Sequence, residues 1–285
     1  MRALLFGLGL PLILAVASAE AQDAPQSASQ EQGIVVTGQT EITPKIVHRY
    51  VRQISSSVDG QLTRFREPVC PGVVGFEERY NVLVAQRIRA VAVAAGVKLA
   101  GADCRANLVV VIAADADALV RTLRVKRPGI FAGVDDAALH RAFEDGPVHV
   151  WNSTEILNED GEHQIGRTLY VKSASIIDLP TQQAVAGSMV VIDRKAALGK
   201  TLTQIADYAA MRALAGARPP KQGVSADTIL TLFDPQVTPP PHATTVDQSY
   251  LQGIYEARAT ARDINAKSVI ARRILKNSQD KPAKD

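Results

Sequence analysis

The stretch SMVVIDRKAALGKTLTQIADYAAMRALA, from Ser188 to Ala215, constrains the fold more than any other part of the chain. Val190, Val191 and Ile192 branch at Cβ, which fixes χ1 and suits a pleated surface, so 189–193 is expected to be a buried strand. Leu198, Leu202, Ile205, Ala206, Ala209 and Ala213 then recur at helical spacing, with Gly216 and Pro219 as stop signals. This predicts one helix packed on the strand, the centre of an α+β domain.

With 285 residues, 46% hydrophobic and 21% charged, the chain is globular and can bury one large core or two small ones. Arg2, the apolar run Leu4 to Ala17 and the small-residue sites Ala17-Ser18-Ala19 and Ala19-Glu20-Ala21 predict an export signal over 1–21. The run is too short for the roughly 20 residues a bilayer span needs. No cysteine follows either cleavage site, so a lipid anchor is not expected. Cys70 and Cys104 are the two cysteines, and in an oxidising compartment they are expected to form one disulfide, two buried thiols being the alternative. The formal charge of +3 resides in 256–285, which carries +4 and leaves 22–255 near −1. No nucleic-acid face is therefore expected on the body of the protein.

Residues 22–33 are Gln, Ser, Ala and Pro without periodicity, a solvated linker. Ile34-Val35-Val36-Thr37-Gly38 reads as a first strand, although the five residues also resemble the TonB box of outer-membrane receptors. Thr43-Pro44 opens a helix, Leu62–Phe65 is a short strand, and Glu77–Ala95 is a helix ended by Gly96. Leu108–Ile112 is an interior strand, Asp117 caps the next helix, and 135–144 forms another. Val148–Thr154, Tyr170–Ile177 and Ala184–Asp193 suggest an antiparallel meander leading into the central helix. Ser225 caps a short helix, Thr245 with Gln248 forms a capping box, and Ile264–Leu275 is a basic helical tail following the last core helix.

Motifs for chemistry are incomplete. Gly199-Lys200-Thr201 lacks the glycine five residues earlier that a phosphate loop needs, since Arg194 stands there. Asp115-Ala116-Asp117 resembles the aspartate pair of haloacid-dehalogenase-type phosphatases, but Leu119 holds the expected threonine position. His149 and Trp151 share a strand face and make His149 a candidate cleft residue, while no two histidines stand at zinc-ligand spacing.

Ser188–Ala215, together with Thr228-Ile229-Leu230-Thr231-Leu232-Phe233-Asp234 and Thr245 to Tyr255, resembles a family of exported Gram-negative bacterial proteins of unknown function with a zincin-like, metallopeptidase-related fold. The resemblance covers about Arg64 to Tyr255 and implies a mixed sheet packed on a central helix, followed by a leucine-rich C-terminal helix. In metal-binding zincins that helix carries H-E-x-x-H, two imidazoles for zinc and a glutamate as base. Those positions fall here on Thr203, Gln204 and Asp207, so the family's catalysis does not carry over. The expectation is an α+β zincin-like domain over 34–255 with a basic helical tail over 256–285, without metal or cofactor. It is a non-catalytic envelope protein that binds a partner protein or peptide, with Thr203, Gln204, Asp207 and His149 as candidate cleft residues. The tail is a candidate for contact with an anionic membrane surface. The competing expectations are a hydrolase of unrecognised mechanism in the same cleft, or engagement by TonB through 34–38.

Overall fold

The computed structural model describes residues 43–279 except 145, 166–167, 173–174, 176–177 and 222–226. The expected export signal, linker, 34–38 segment and Ser225 cap lie outside the described residues. Helix α1 (Pro44–Ile54) starts where Thr43, still extended, accepts at its hydroxyl from the Ile46 amide, with Pro44 at the first helical position. Strands β1 (Ser57–Val58) and β2 (Gln61–Leu62) pair around Asp59-Gly60, both at positive φ. Then come β3 (Arg64–Phe65), β4 (Pro71–Val74), α2 (Glu78–Ala94), β5 (Leu108–Ala113) and α3 (Ala116–Lys126). A 3-10 turn (Pro128–Phe131), α4 (Asp136–Ala142), β6 (Val148–Asn158) and β7 (Thr181–Asp193) follow. The chain continues through α5 (Arg194–Ala197), α6 (Leu202–Ala215), a 3-10 turn (Ile229–Thr231), α7 (Thr245–Glu256) and α8 (Asp263–Gln279).

Strand β7 is the hub of a mixed five-stranded sheet. On one edge β6 runs antiparallel from Val148 opposite Ile192 to Asn158 opposite Thr181, with Ala186 bulged between Ser153–Gly187 and Thr154–Val185. On its other edge β7 pairs in parallel with β3, then with β5, and β5 pairs in parallel with β4. Parallel neighbours need a crossover, and α2 supplies it between β4 and β5. Both sheet faces are covered, which is why the central strands are unbroken β-branched runs rather than alternating ones. Val110, Val190 and Ile192 face the large core built with α1, α2, α6, α7 and α8. Ala113, Trp151 and Val191 face a smaller core under α3 and α4.

The fold is thus α+β with a mixed sheet and a C-terminal helix, and the Cys70–Cys104 disulfide ties the start of β4 to the loop before β5. The central helix is not one piece. Gly199 takes φ +74°, α5 ends before it, and α6 starts afresh at a capping box. There the Gln204 amide donates to Thr201 Oγ1 at 3.1 Å and the Thr201 amide to Gln204 Oε1 at 3.0 Å. Leu198, assigned to the apolar stripe from its spacing, is left 73% exposed. Asp115, not Asp117, caps α3, and Thr244 with Asp247, not Thr245 with Gln248, makes the box of α7. The described residues between 170 and 177 hold no strand, so β6 and β7 pair directly in place of the expected meander.

The tail is helical, but it belongs to the core. Ala266, Ile270, Ala271 and Ile274 are buried. A Cβ on Gly253 would stand 2.7 Å from Ile270 Cα, so α7 and α8 touch backbone to backbone at this glycine. Part of the tail's charge is neutralised locally, Arg258 by Asp178, Lys267 by Asp263 and Arg273 by Glu256. No helix among the described residues is long and apolar enough to cross a membrane.

Candidate functional site

The residues singled out on α6 act within the fold. Asp207 is fully buried, where Arg87 of α2 grips it by Nε to Oδ1 at 2.6 Å and Nη2 to Oδ2 at 2.9 Å, and the Ala243 amide donates to Oδ2 at 2.7 Å. The bond to Asp207 raises the Arg87 guanidinium above its ordinary value. Gln204, besides closing the capping box, donates Nε2 to the Pro240 carbonyl at 2.9 Å, and Thr203 points to solvent. Expected to line a cleft, Gln204 and Asp207 instead brace α2 and the entry to α7.

His149 stands on the opposite sheet face. Its Nδ1 is 3.0 Å from the Ala142 carbonyl. Its Nε2 is 3.1 Å from Asp117 Oδ1, within ion-pair distance but poorly aligned for a hydrogen bond. Trp151 beside it donates Nε1 to the Ile130 carbonyl and packs on Phe131 with ring centroids 4.7 Å apart. Thr203, Gln204 and Asp207 therefore do not share a cleft with His149. Among the described residues no three His, Cys, Asp or Glu side chains gather as a metal site would need.

A different site is present along the free edge of β6, a hollow of about 720 Å³. One wall is the end of α1, with Arg52, Gln53 and Ser56. The other is Asp135, Ala138, Arg141 and Glu144, spaced so that they fall on one side of α4 and its flanks. Arg212, Gly216, Arg218, Pro219 and Lys221 close one end, and Val148, Val150, Asn152 and Thr154 supply the floor. Five cationic side chains thus line the hollow against two carboxylates. No salt bridge joins any of the five to a carboxylate among the described residues.

The cations crowd one another. Burial holds the Arg218 guanidinium below its ordinary value, and the nearby charges of Arg141 and Arg212 lower it further. Arg218 Nη2 donates to the Ser55 carbonyl at 2.9 Å and Arg212 Nη1 to the Tyr208 hydroxyl at 2.5 Å, so both side chains are held in place. Their Nε atoms, and Gln53 Oε1, are shielded from solvent without a hydrogen-bond partner. Planar guanidinium groups fixed in this way are suited to carboxylate or phosphate oxygens.

The floor adds backbone groups. The Pro147 carbonyl accepts from the Asp193 amide at 2.9 Å and so faces β7, whereas the Thr154 amide faces away and donates to the Gly133 carbonyl at 2.7 Å. The two-residue alternation of an antiparallel pair then turns the N–H and C=O of Val148, Val150 and Asn152 outward, toward the hollow they line. Models of known families, curated proteins and solved structures contain no match to the chain.

Proposed function

We propose that the protein is a non-catalytic binding protein whose ligand is anionic and is held in the cleft beside β6. The observation that carries this reading is the gathering of Arg141, Arg212 and Arg218 in one hollow, where the charges of the first two disfavour that of Arg218 and no salt bridge joins any of the three to a carboxylate among the described residues. A bound anion relieves that repulsion. Placement outside the cytoplasm is part of the proposal, supported by the Cys70–Cys104 disulfide and the signal-like pattern of 1–21. So is a zincin-like ancestry, supported by α6 following β7 and by the two helices after it. At the positions where such a helix would carry metal ligands and base, Thr203 faces solvent, Gln204 is held in a cap and Asp207 is clamped by Arg87, which favours binding over hydrolysis.

Isothermal titration of the purified protein with citrate and with inorganic pyrophosphate tests the reading. Binding of one or both is expected, weakened at least tenfold in Arg212→Gln and Arg218→Gln, weakened by added salt, and unchanged in Arg121→Gln on α3. Absence of binding by both probes at millimolar concentration, or equal binding by the cleft variants, overturns it.

A further inference from the structure

Resting on the reading of the cleft as an anion site, we infer that its ligand is an extended acidic peptide that joins the edge of β6 as a sixth strand. Edge strands in soluble proteins are ordinarily blunted by lysine, proline, an outward bulge or a covering element. Among the described residues none of these blunts β6 between Val148 and Asn152, and the bulged residue, Ala186, lies on the inner partner β7. Further along, the edge is closed at Thr154 by Gly133 and at Asn158 by Glu162. From Val148 to Asn152 the open edge is about 14 Å long at strand rise, enough for about four or five ligand residues.

The outward groups alternate N–H and C=O, and this selects the ligand. Phosphate or a small polycarboxylate satisfies the arginines but offers nothing to donate to the open carbonyls. A peptide backbone carries both complements in the same repeat. Side chains of an added strand point alternately to the two walls, so acidic residues at alternate positions reach the guanidinium groups. The hollow also runs on into a second one of about 230 Å³, because the two share Val148, Arg212 and Pro219. Tyr208 and Phe233 line that extension and give an apolar ligand side chain a seat. Pairing of two copies edge to edge is disfavoured, since each would bring its own cations against the other's.

The test uses acetyl-Glu-Val-Glu-Val-Glu-Val-Glu-amide with the full chain, and two N-methylated versions, each lacking the N–H at one alternate set of positions. The parent peptide is expected to bind at least tenfold more tightly than one methylated version and about equally to the other, because only one set can face β6. Val150→Pro, which removes an outward N–H and no ladder bond, is expected to lose peptide affinity at least fivefold while citrate binding is retained. If both methylated peptides bind like the parent, or if citrate binds and the peptide does not, the strand inference is overturned and the anion cleft stands. If neither the peptide nor citrate nor pyrophosphate binds, both fall.

Discussion

Two regions of this molecule handle charge in opposite ways. Under α6 and α7, Asp247 is fully buried yet accepts from Thr228 Oγ1 at 2.5 Å, the Ile229 amide at 2.8 Å, the Thr244 amide at 2.9 Å and Thr244 Oγ1 at 3.0 Å. Asp207 is answered as fully by Arg87 and Ala243, and the buried Arg64 by the last carbonyls of α7, Ile254 at 2.6 Å and Ala257 at 2.5 Å. Beside β6 five cations face two carboxylates, and no salt bridge joins them among the described residues. A buried charge holds a fold together only when its own partners come with it. Those under α7 therefore explain the packing, and those in the cleft do not, which is what the proposed anion site rests on.

The largest effect expected is at Asp247. Asp247→Ala leaves the donors of Thr228, Ile229 and Thr244 without an acceptor and should lower stability by about 4 kcal/mol, read from urea unfolding. Burial raises the Asp247 carboxyl above its ordinary value, so the ionised form opposes folding to some extent at neutral pH and removing charge alone would help. Asp247→Asn tests which term wins. Its amide nitrogen must face donors, and it is expected to be destabilised as well. An Asn variant as stable as the parent would show that the charge, not the acceptors, matters, and the contrast between the two regions would weaken.

Next in size is Tyr250, which lies between the regions, sharing a hydrogen bond of 3.0 Å with Ser55 Oγ while Ser55 offers its carbonyl to Arg218. Burial pushes its hydroxyl up to about 12. The unfolded chain ionises first, near pH 10, so this contribution is fully present below about pH 10 and is lost as pH rises toward 12, at about 1.4 kcal/mol per unit. Arg64 shifts the opposite way, lowered by burial to about 10, so the parent's own alkaline profile mixes both signs. The difference between parent and Tyr250→Phe isolates the tyrosine. The variant should lose about 1 to 2 kcal/mol less than the parent between pH 9.5 and 11. Parallel profiles would show that Tyr250 is open to water in solution, and with it the boundary between core and cleft.

Much of the frame was legible in local pattern. Thr43-Pro44, the unbroken Leu108–Ile112 run, Val190–Ile192 and the cysteine pair each specify their own structure, and each is found where expected. The failures share a cause, that burial of a polar group depends on residues distant in the chain. Asp207 looked solvated because its partner Arg87 is 120 residues away. The tail looked accessory because its lysines and arginines outnumber the Ala266, Ile270 and Ile274 positions that α7 covers. The cleft left almost no local trace, since Arg52, Arg141, Arg212 and Arg218 come from separate parts of the chain.

The smallest effect has the sign that most sharpens the contrast. Arg141 is exposed on α4, makes no ion pair among the described residues, and adds to the positive field on Arg218. Neutralising a charge normally costs a surface little, and here it removes a repulsion. Arg141→Gln is therefore expected to leave stability unchanged or to raise it by about 0.3 kcal/mol at low ionic strength, with the gain shrinking in added salt. Thermal melts at low and high salt measure this. If the proposed anion site is correct, the same substitution should weaken citrate binding about threefold, because it removes one of the cations lining the hollow. A clear loss of stability would mean that Arg141 holds the fold as Arg87 does, and the cleft would then belong to the same class as the buried clusters under α7.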